Sequence, residues 1–322
     1  MEPPRFAEAG ALLARHLPKT RLVPAASFRK RPDQQVFLKL ESELPTGSFK
    51  VRGALYALEA NLRRRGVTEV VASSTGNHGA AVAYAARLLG VRARIYLPEN
   101  SNPVKREKIA RLGAEIVETG ALDLTAAFAA ADGYARESGA FFLNDASDPD
   151  LPAGPGTIAH EILDQLPEAA RIYVPMGDTA LIRGVAEAAK QRSRTVKITG
   201  VQSERAPSYF LSWKAGKPVA TDTCNTIADG LATRTPLEEN VTQIRRLVDD
   251  VVLVSEEEML EAIARLLMDE HLVAEPAGAA AAAAFAKSGE AVSGPAVLLL
   301  SGANVERSVL RQALGRAEPR VP

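Results

Sequence analysis

Short β-rich runs alternate with stretches of helical period along almost the whole chain, and that alternation decides its architecture. The runs 69–72 (EVVA), 94–97 (RIYL), 114–117 (AEIV), 171–174 (RIYV), 196–201 (VKITGV), 251–254 (VVLV) and 296–300 (AVLLL) read as buried strands. Between them, 51–64, 79–89, 103–112, 122–137, 157–166, 180–191, 255–270 and 304–315 place apolar residues at helical spacing. Ser255 with Glu258 three residues on makes a capping box before one of these helices. Consecutive parallel strands need a long crossover, which is usually a helix. The expectation is an α/β protein with open, twisted, mostly parallel sheets and helices on their faces. At 322 residues the chain can form two domains or one large unit.

Several function classes are excluded early. Lysine and arginine balance aspartate and glutamate at 39 each, so no polyanion-binding surface is expected and nucleic acid is not a partner. The single cysteine, Cys224, excludes a disulfide framework and fits a reducing, cytoplasmic compartment. The first residues, MEPPRFAEAGALLARHL, have no continuous apolar core and do not read as a signal peptide. Ala277 to Ala286 is the longest weakly apolar run, about half of what spans a bilayer, so no membrane association is expected. Its small side chains suit a helix packed closely against a neighbour. The four histidines, His16, His78, His160 and His271, show no metal-ligand spacing, and no zinc site is expected. Gly154-Pro155-Gly156-Thr157-Ile158-Ala159 matches the G-x-G-x-x-A dinucleotide fingerprint, but a polar segment separates it from the preceding strand and Pro155 interrupts it. No G-x-S-x-G elbow marks a hydrolase nucleophile.

Ligands of open α/β sheets bind beyond the carboxyl ends of the strands. Three loops directly follow predicted strands there: Ser73-Ser74-Thr75-Gly76-Asn77-His78-Gly79, Gly177-Asp178-Thr179-Ala180 and Ser301-Gly302-Ala303-Asn304. The first two open helices, whose N-terminal amides attract carboxylate or phosphate. Thr46-Gly47-Ser48-Phe49-Lys50 is by itself a turn and a helix start. Were Lys50 held among apolar groups such as Phe49 and Val51, desolvation would free its amine for imine chemistry.

Together these segments resemble the fold-type II pyridoxal-phosphate enzymes, in the branch of serine/threonine dehydratases (ammonia-lyases) and serine racemases. The likeness runs from about Lys39 to Asn304, with signatures in the family order. Leu40-Glu41 followed by Thr46-Gly47-Ser48-Phe49-Lys50-Val51-Arg52-Gly53-Ala54 resembles the dehydratase lysine motif. Thr226-Ile227-Ala228-Asp229-Gly230 and Glu275-Pro276-Ala277-Gly278-Ala279 are further family-like segments. The resemblance implies that pyridoxal 5′-phosphate is bound by Lys50 as a Schiff base, that Lys50 also moves the α-proton, and that Phe49 packs on the cofactor ring. It implies that Ser74, Thr75, Gly76, Asn77 and His78 bind the substrate carboxylate, with Asn77 also meeting the cofactor's 3′-oxygen. It places the phosphate on Gly177, Asp178, Thr179, Ala180 and Leu181, and Ser301 at the pyridine nitrogen. A neutral hydroxyl there gives a shallower electron sink, which suits elimination.

The implied reaction is α,β-elimination from a serine- or threonine-like amino acid, giving a 2-oxo acid and ammonia. An amino-acid racemase is the alternative, since Thr75 stands where serine racemases carry the serine that acts on the opposite face. Phenylserine, 3-hydroxyaspartate and hydroxyectoine-derived substrates also stay open. Two departures stand out. The family's phosphate loop is usually a run of four glycines, so Asp178 is expected to turn away from the phosphate and Thr179 to offer its hydroxyl. The metal-binding members carry acidic groups at short spacing; Glu204 matches the first position but Phe210 stands at the last, so no metal is expected. The implied fold has a large domain of residues 1–66 and 146–322 and a small inserted domain of 67–145, with the site in the cleft between them. The chain ends soon after the last helix, so no regulatory domain is expected. Family members are commonly dimers, which implies a homodimer.

Overall fold

A computed structural model of the chain describes residues 5–74, 76–99, 103–120, 124–288 and 293–316. Among the described residues ten strands are seen: β1 (Leu22–Pro24), β2 (Val36–Leu40), β3 (Glu69–Ser73), β4 (Arg92–Leu97), β5 (Glu115–Glu118), β6 (Phe141–Phe142), β7 (Arg171–Pro175), β8 (Lys197–Ser203), β9 (Asp250–Val254) and β10 (Ala296–Leu300). They form a six-stranded sheet in the order β1-β2-β10-β7-β8-β9 and a four-stranded sheet in the order β5-β4-β3-β6. All neighbours are parallel except β1 and β2. The α/β class with mostly parallel sheets is therefore as the residues imply.

The chain divides into two compact units, Met1–Leu17 with Phe49–Pro155, and Pro18–Ser48 with Gly156–Pro322. This grouping differs from the division at 66 and 146 in placing Met1–Leu17, the helix Lys50–Arg65 and residues 146–155 with the four-stranded sheet. The reason is packing. That helix lies against the helix Asn77–Leu89. Gly53 also abuts Leu151 and Gly154 abuts Arg52, where an added Cβ would approach backbone atoms to 3.0 and 2.4 Å.

In the larger unit, β10 lies between β2 and β7, and Leu298 is in register with both Leu38 and Tyr173. All five residues of β10 are buried, as expected of a central parallel strand covered on both faces. The helix Pro276–Lys287 (PAGAAAAAAFAK) carries no charge before its last residue and is buried through Phe285. Its alanines permit close approach, and Phe285 meets the Tyr173 ring edge-on at 5.6 Å. The capping box forms as read. Ser255 Oγ accepts from the Glu258 amide at 3.2 Å, and Glu258 Oε2 accepts from the Ser255 amide at 2.8 Å. The G-x-G-x-x-A segment lies within the helix Ala153–Gln165, and Gly154 serves its contact with Arg52. Among the described residues, no helix is long and apolar enough to cross a membrane.

Candidate active site

The smaller unit gathers one group of site residues. Lys50 opens the helix Lys50–Arg65, which no side chain caps, directly after Phe49. Its ammonium is half-buried, 2.6 Å from Asp145 Oδ2 and 5.7 Å from the centroid of the Phe49 ring. Burial, the largest single influence, would raise the Asp145 carboxyl, but the charge and hydrogen bond of Lys50, with smaller help from His78 and the backbone amide, together outweigh it and hold the group well below the usual carboxylate range. Asp145, a charged partner of Lys50, was not singled out by the motif reading.

The loop after β3 belongs to the same group. Ser74 Oγ accepts from the Gly76 amide at 3.2 Å, and Gly76 begins the helix Asn77–Leu89, also with no side-chain cap. The N-cap is a glycine with no side chain to offer, and a helix start of this kind suits a carboxylate. Gly79 is required by packing, since a Cβ would come within 2.5 Å of the Ser74 carbonyl oxygen. His78 is buried. Its Nε2 lies 2.9 Å from the Leu143 carbonyl, which can only accept, so the ring N–H is on Nε2. Its buried Nδ1 has no hydrogen-bond partner among the described residues. Desolvation lowers the His78 pKa further than Asp145 raises it. Thr75 lies outside the described residues.

The larger unit gathers the second group. The expected phosphate loop connects β7 to the helix Ala180–Arg192. Thr179 has φ +71°, a left-handed conformation that is strained for a β-branched residue, and it makes no side-chain cap. Surrounding bonds hold it there. Its hydroxyl accepts from the Arg183 Nε at 3.1 Å and is hydrogen-bonded to Tyr209. Asn240 donates to the Asp178 carbonyl at 3.5 Å and to the Tyr209 hydroxyl at 3.1 Å. The Asp178 carboxylate accepts from the Thr233 hydroxyl at 3.1 Å. Gly177 needs its missing side chain, because a Cβ would sit 2.1 Å from the Gly230 carbonyl oxygen.

Ser301 is buried at the end of β10. The following residues are laced to the start of the lysine motif, with Ala303 N donating to Gly47 O at 2.9 Å and Asn304 Nδ2 to Thr46 O at 3.0 Å. Gly47, at φ +71°, leaves room for Asn304, whose Oδ1 would otherwise lie 2.8 Å from a Cβ. Glu204, the residue matching the metal-binding pattern, is ion-paired with Lys287 at 3.1 Å.

These features fit pyridoxal phosphate. The turn 177–180 offers backbone amides at a helix start with no side-chain cap, packed so closely against Gly230 that only glycine is admitted at 177. That is a cradle for a dianion. The neutral Ser301 and the amine of Lys50 suit a pyridine ring and an aldehyde respectively.

Comparison with known proteins agrees. Residues 13–302 match the family model described as "Pyridoxal-phosphate dependent enzyme". The chain is 38% identical over 300 residues to the L-threonine ammonia-lyase of Geobacter sulfurreducens, covering 93% of this chain and 74% of that protein. It is 32% identical to the catabolic L-threonine dehydratase of Escherichia coli, covering 96% and 94%. Maize serine racemase has the same fold, with a TM-score of 0.88 and 30% identity over 96% of this chain and 95% of that one. With the lysine motif, the loops after β3, β7 and β10, and this match over most of its length, the chain belongs to the fold-type II pyridoxal-phosphate dependent enzymes.

Proposed function

We propose that this enzyme is an ammonia-lyase that eliminates the β-hydroxyl of a serine- or threonine-like amino acid, releasing a 2-oxo acid and ammonia. The observation that carries the reading is the Lys50 amine, half-buried and ion-paired at a helix start, in a chain 32–38% identical to threonine ammonia-lyases. When bound, pyridoxal phosphate supplies an electron-poor ring that takes up charge from the substrate's α-carbon. Lys50 holds the cofactor and takes the α-proton at Nζ. Phe49 flanks the ring. The amides of the 74–78 loop bind the substrate carboxylate, and Asn77 orients the ring oxygen. The amides of Gly177 to Leu181 hold the phosphate, with Thr179 keeping their turn in place, and Ser301 faces the ring nitrogen as a neutral group. This residue assignment, together with a cytoplasmic homodimer, forms one proposal.

The test is borohydride reduction followed by digestion. A pyridoxyl group is expected on the peptide containing Lys50, and L-threonine and L-serine should release 2-oxo acid. Labelling at another lysine, or no 2-oxo acid from any β-hydroxy amino acid, overturns the proposal.

The likeness to maize serine racemase favours one second reading, an amino-acid racemase. Racemisation needs a second acid/base group on the face opposite the lysine, because one base serves one face. Thr75 is the residue proposed for it. A β-branched hydroxyl is restricted about χ1, so elimination is expected to dominate. Chiral analysis of L-serine with wild type and Thr75→Ala decides: D-serine forming faster than pyruvate, and lost in the variant, would establish the racemase.

A further inference from the structure

We propose that Asp145 is a specificity-determining residue: it admits β-hydroxy amino acids whose side chain presents a neutral hydrogen-bond donor or a cation, and rejects those carrying a side-chain carboxylate. The proposal rests on the assignment of Lys50 given above and adds the charge class of the substrate.

The argument begins with the ion pair. Asp145 Oδ2 is 2.6 Å from Lys50 Nζ, and the two side chains are 24% and 18% exposed, so solvent screens them only partly. The Lys50 amine reacts only after it gives up its proton, because an ammonium is neither a nucleophile nor a base. The pair then loses its positive member. His78, the nearby titratable group, cannot replace it. Its one ring proton is committed to the Leu143 carbonyl, and Nδ1 offers only a lone pair. Burial keeps the ring from taking up a second proton near neutral pH. Among the described residues, Asp145 is then left, besides its own backbone N–H, as a partly buried carboxylate without a counter-charge. Such a group is costly to leave unanswered.

A substrate that reacts at Lys50 brings its α- and β-substituents to this place. A β-hydroxyl can donate to Asp145, and a cation can replace the lost charge. A second carboxylate is repelled. At an effective dielectric of ~20, two like charges ~6 Å apart weaken binding by roughly 100-fold. The carboxylate that selects thus stands on the loop after β6, apart from the loops that bind the common parts of an amino acid.

The test compares the holoenzyme with Asp145→Asn, which keeps the size of the side chain and removes its charge. Borohydride labelling of Lys50 is done first on both; a missing label sinks the assignment of Lys50 and this proposal with it. The kcat/KM for 2-oxo acid release is then measured with L-threonine and with 3-hydroxy-L-aspartate. Non-reacting L-aspartate and L-alanine are titrated against the cofactor absorbance to give dissociation constants. Wild type should favour threonine over 3-hydroxyaspartate, and alanine over aspartate. Asp145→Asn should narrow both ratios by at least about tenfold. If the variant loses or gains by the same factor with every amino acid, Asp145 serves only Lys50 and the proposal is wrong. Wild type that uses 3-hydroxyaspartate as well as threonine also overturns it. Should Asp145→Asn fail to fold, Asp145→Ser is read by the same two ratios.

Discussion

Asp148 is nearly fully buried, and its carboxyl is pushed up to about 6, first by desolvation and then by Asp150. It stays because Oδ1 accepts from the amides of Asp150 and Leu151, both at 3.0 Å. The folded protein thus holds this proton more tightly than the unfolded chain, whose ordinary value is 3.8. Its stabilising contribution is complete below about pH 4 and is lost as pH rises through about 6. Asp148→Asn keeps an acceptor oxygen and removes the charge. Urea unfolding should show the variant gaining roughly 3 kcal/mol on wild type between pH 4 and pH 7; parallel curves would refute the assignment. At this scale the sequence was informative where a motif bundles its residues, as around Lys50 or in 74–78. Asp145 was invisible because its partner lies 95 positions away in the chain, and an aspartate in a polar loop has no pattern. Sequence showed that Asp178 and Thr179 replace glycines. It could not show that Arg183, one helical turn on, ties Thr179 into a left-handed turn.

Helix starts carry much of the structure's specificity, and two of them can be tested. Ser255→Ala removes one half of the capping box and should cost about 1 kcal/mol in chemical denaturation, with little change in cofactor content. Thr179→Ala removes the hydroxyl that accepts from the buried Arg183 Nε at the start of the proposed phosphate helix. Cofactor dissociation measured by equilibrium dialysis should weaken by about 1.5–3 kcal/mol, the worth of a hydrogen bond to a charged group. Thr179→Ser should restore it. Equal affinity in all three proteins would show that the amides alone suffice. All seven runs read as strands fall on strands, overrunning them by no more than a residue at the start, most of them because buried parallel strands are continuous in apolar residues. The missed strands have physical causes. Leu22–Pro24 and Phe141–Phe142 are too short to show a period, and Val36–Leu40 contains Lys39, a charge that breaks the apolar run. That lysine is fully buried, 2.7 Å from Glu161. The helices Phe6–Leu13, Ser208–Ala215 and Glu238–Leu247 have no counterpart in the pattern reading. Only a run of small side chains announced Pro276–Lys287, since a helix buried on all sides shows no amphipathic period.

At the scale of the whole molecule, a ligand that binds only the folded state stabilises all of it. Removing pyridoxal phosphate should therefore lower the melting temperature by several degrees, with full recovery on adding it back; at a free concentration ~100 times Kd the expected gain is about 2.7 kcal/mol. Identical melting curves would mean that the cofactor makes no net contribution to stability. The strand order also sets a timetable for synthesis. Strands β3 to β6 leave the ribosome within one stretch, residues 69 to 142, so their sheet can close while translation continues. Strand β2 is complete at residue 40, yet one of its two neighbours is β10, residues 296–300. At ~5–20 residues per second, β2 waits roughly 15–50 s with that edge open to any other strand in the cell. Lys39 is the fourth of this strand's five residues. Before it becomes a buried partner of Glu161, it is a charge that discourages a nascent chain from pairing with its neighbours on the polysome.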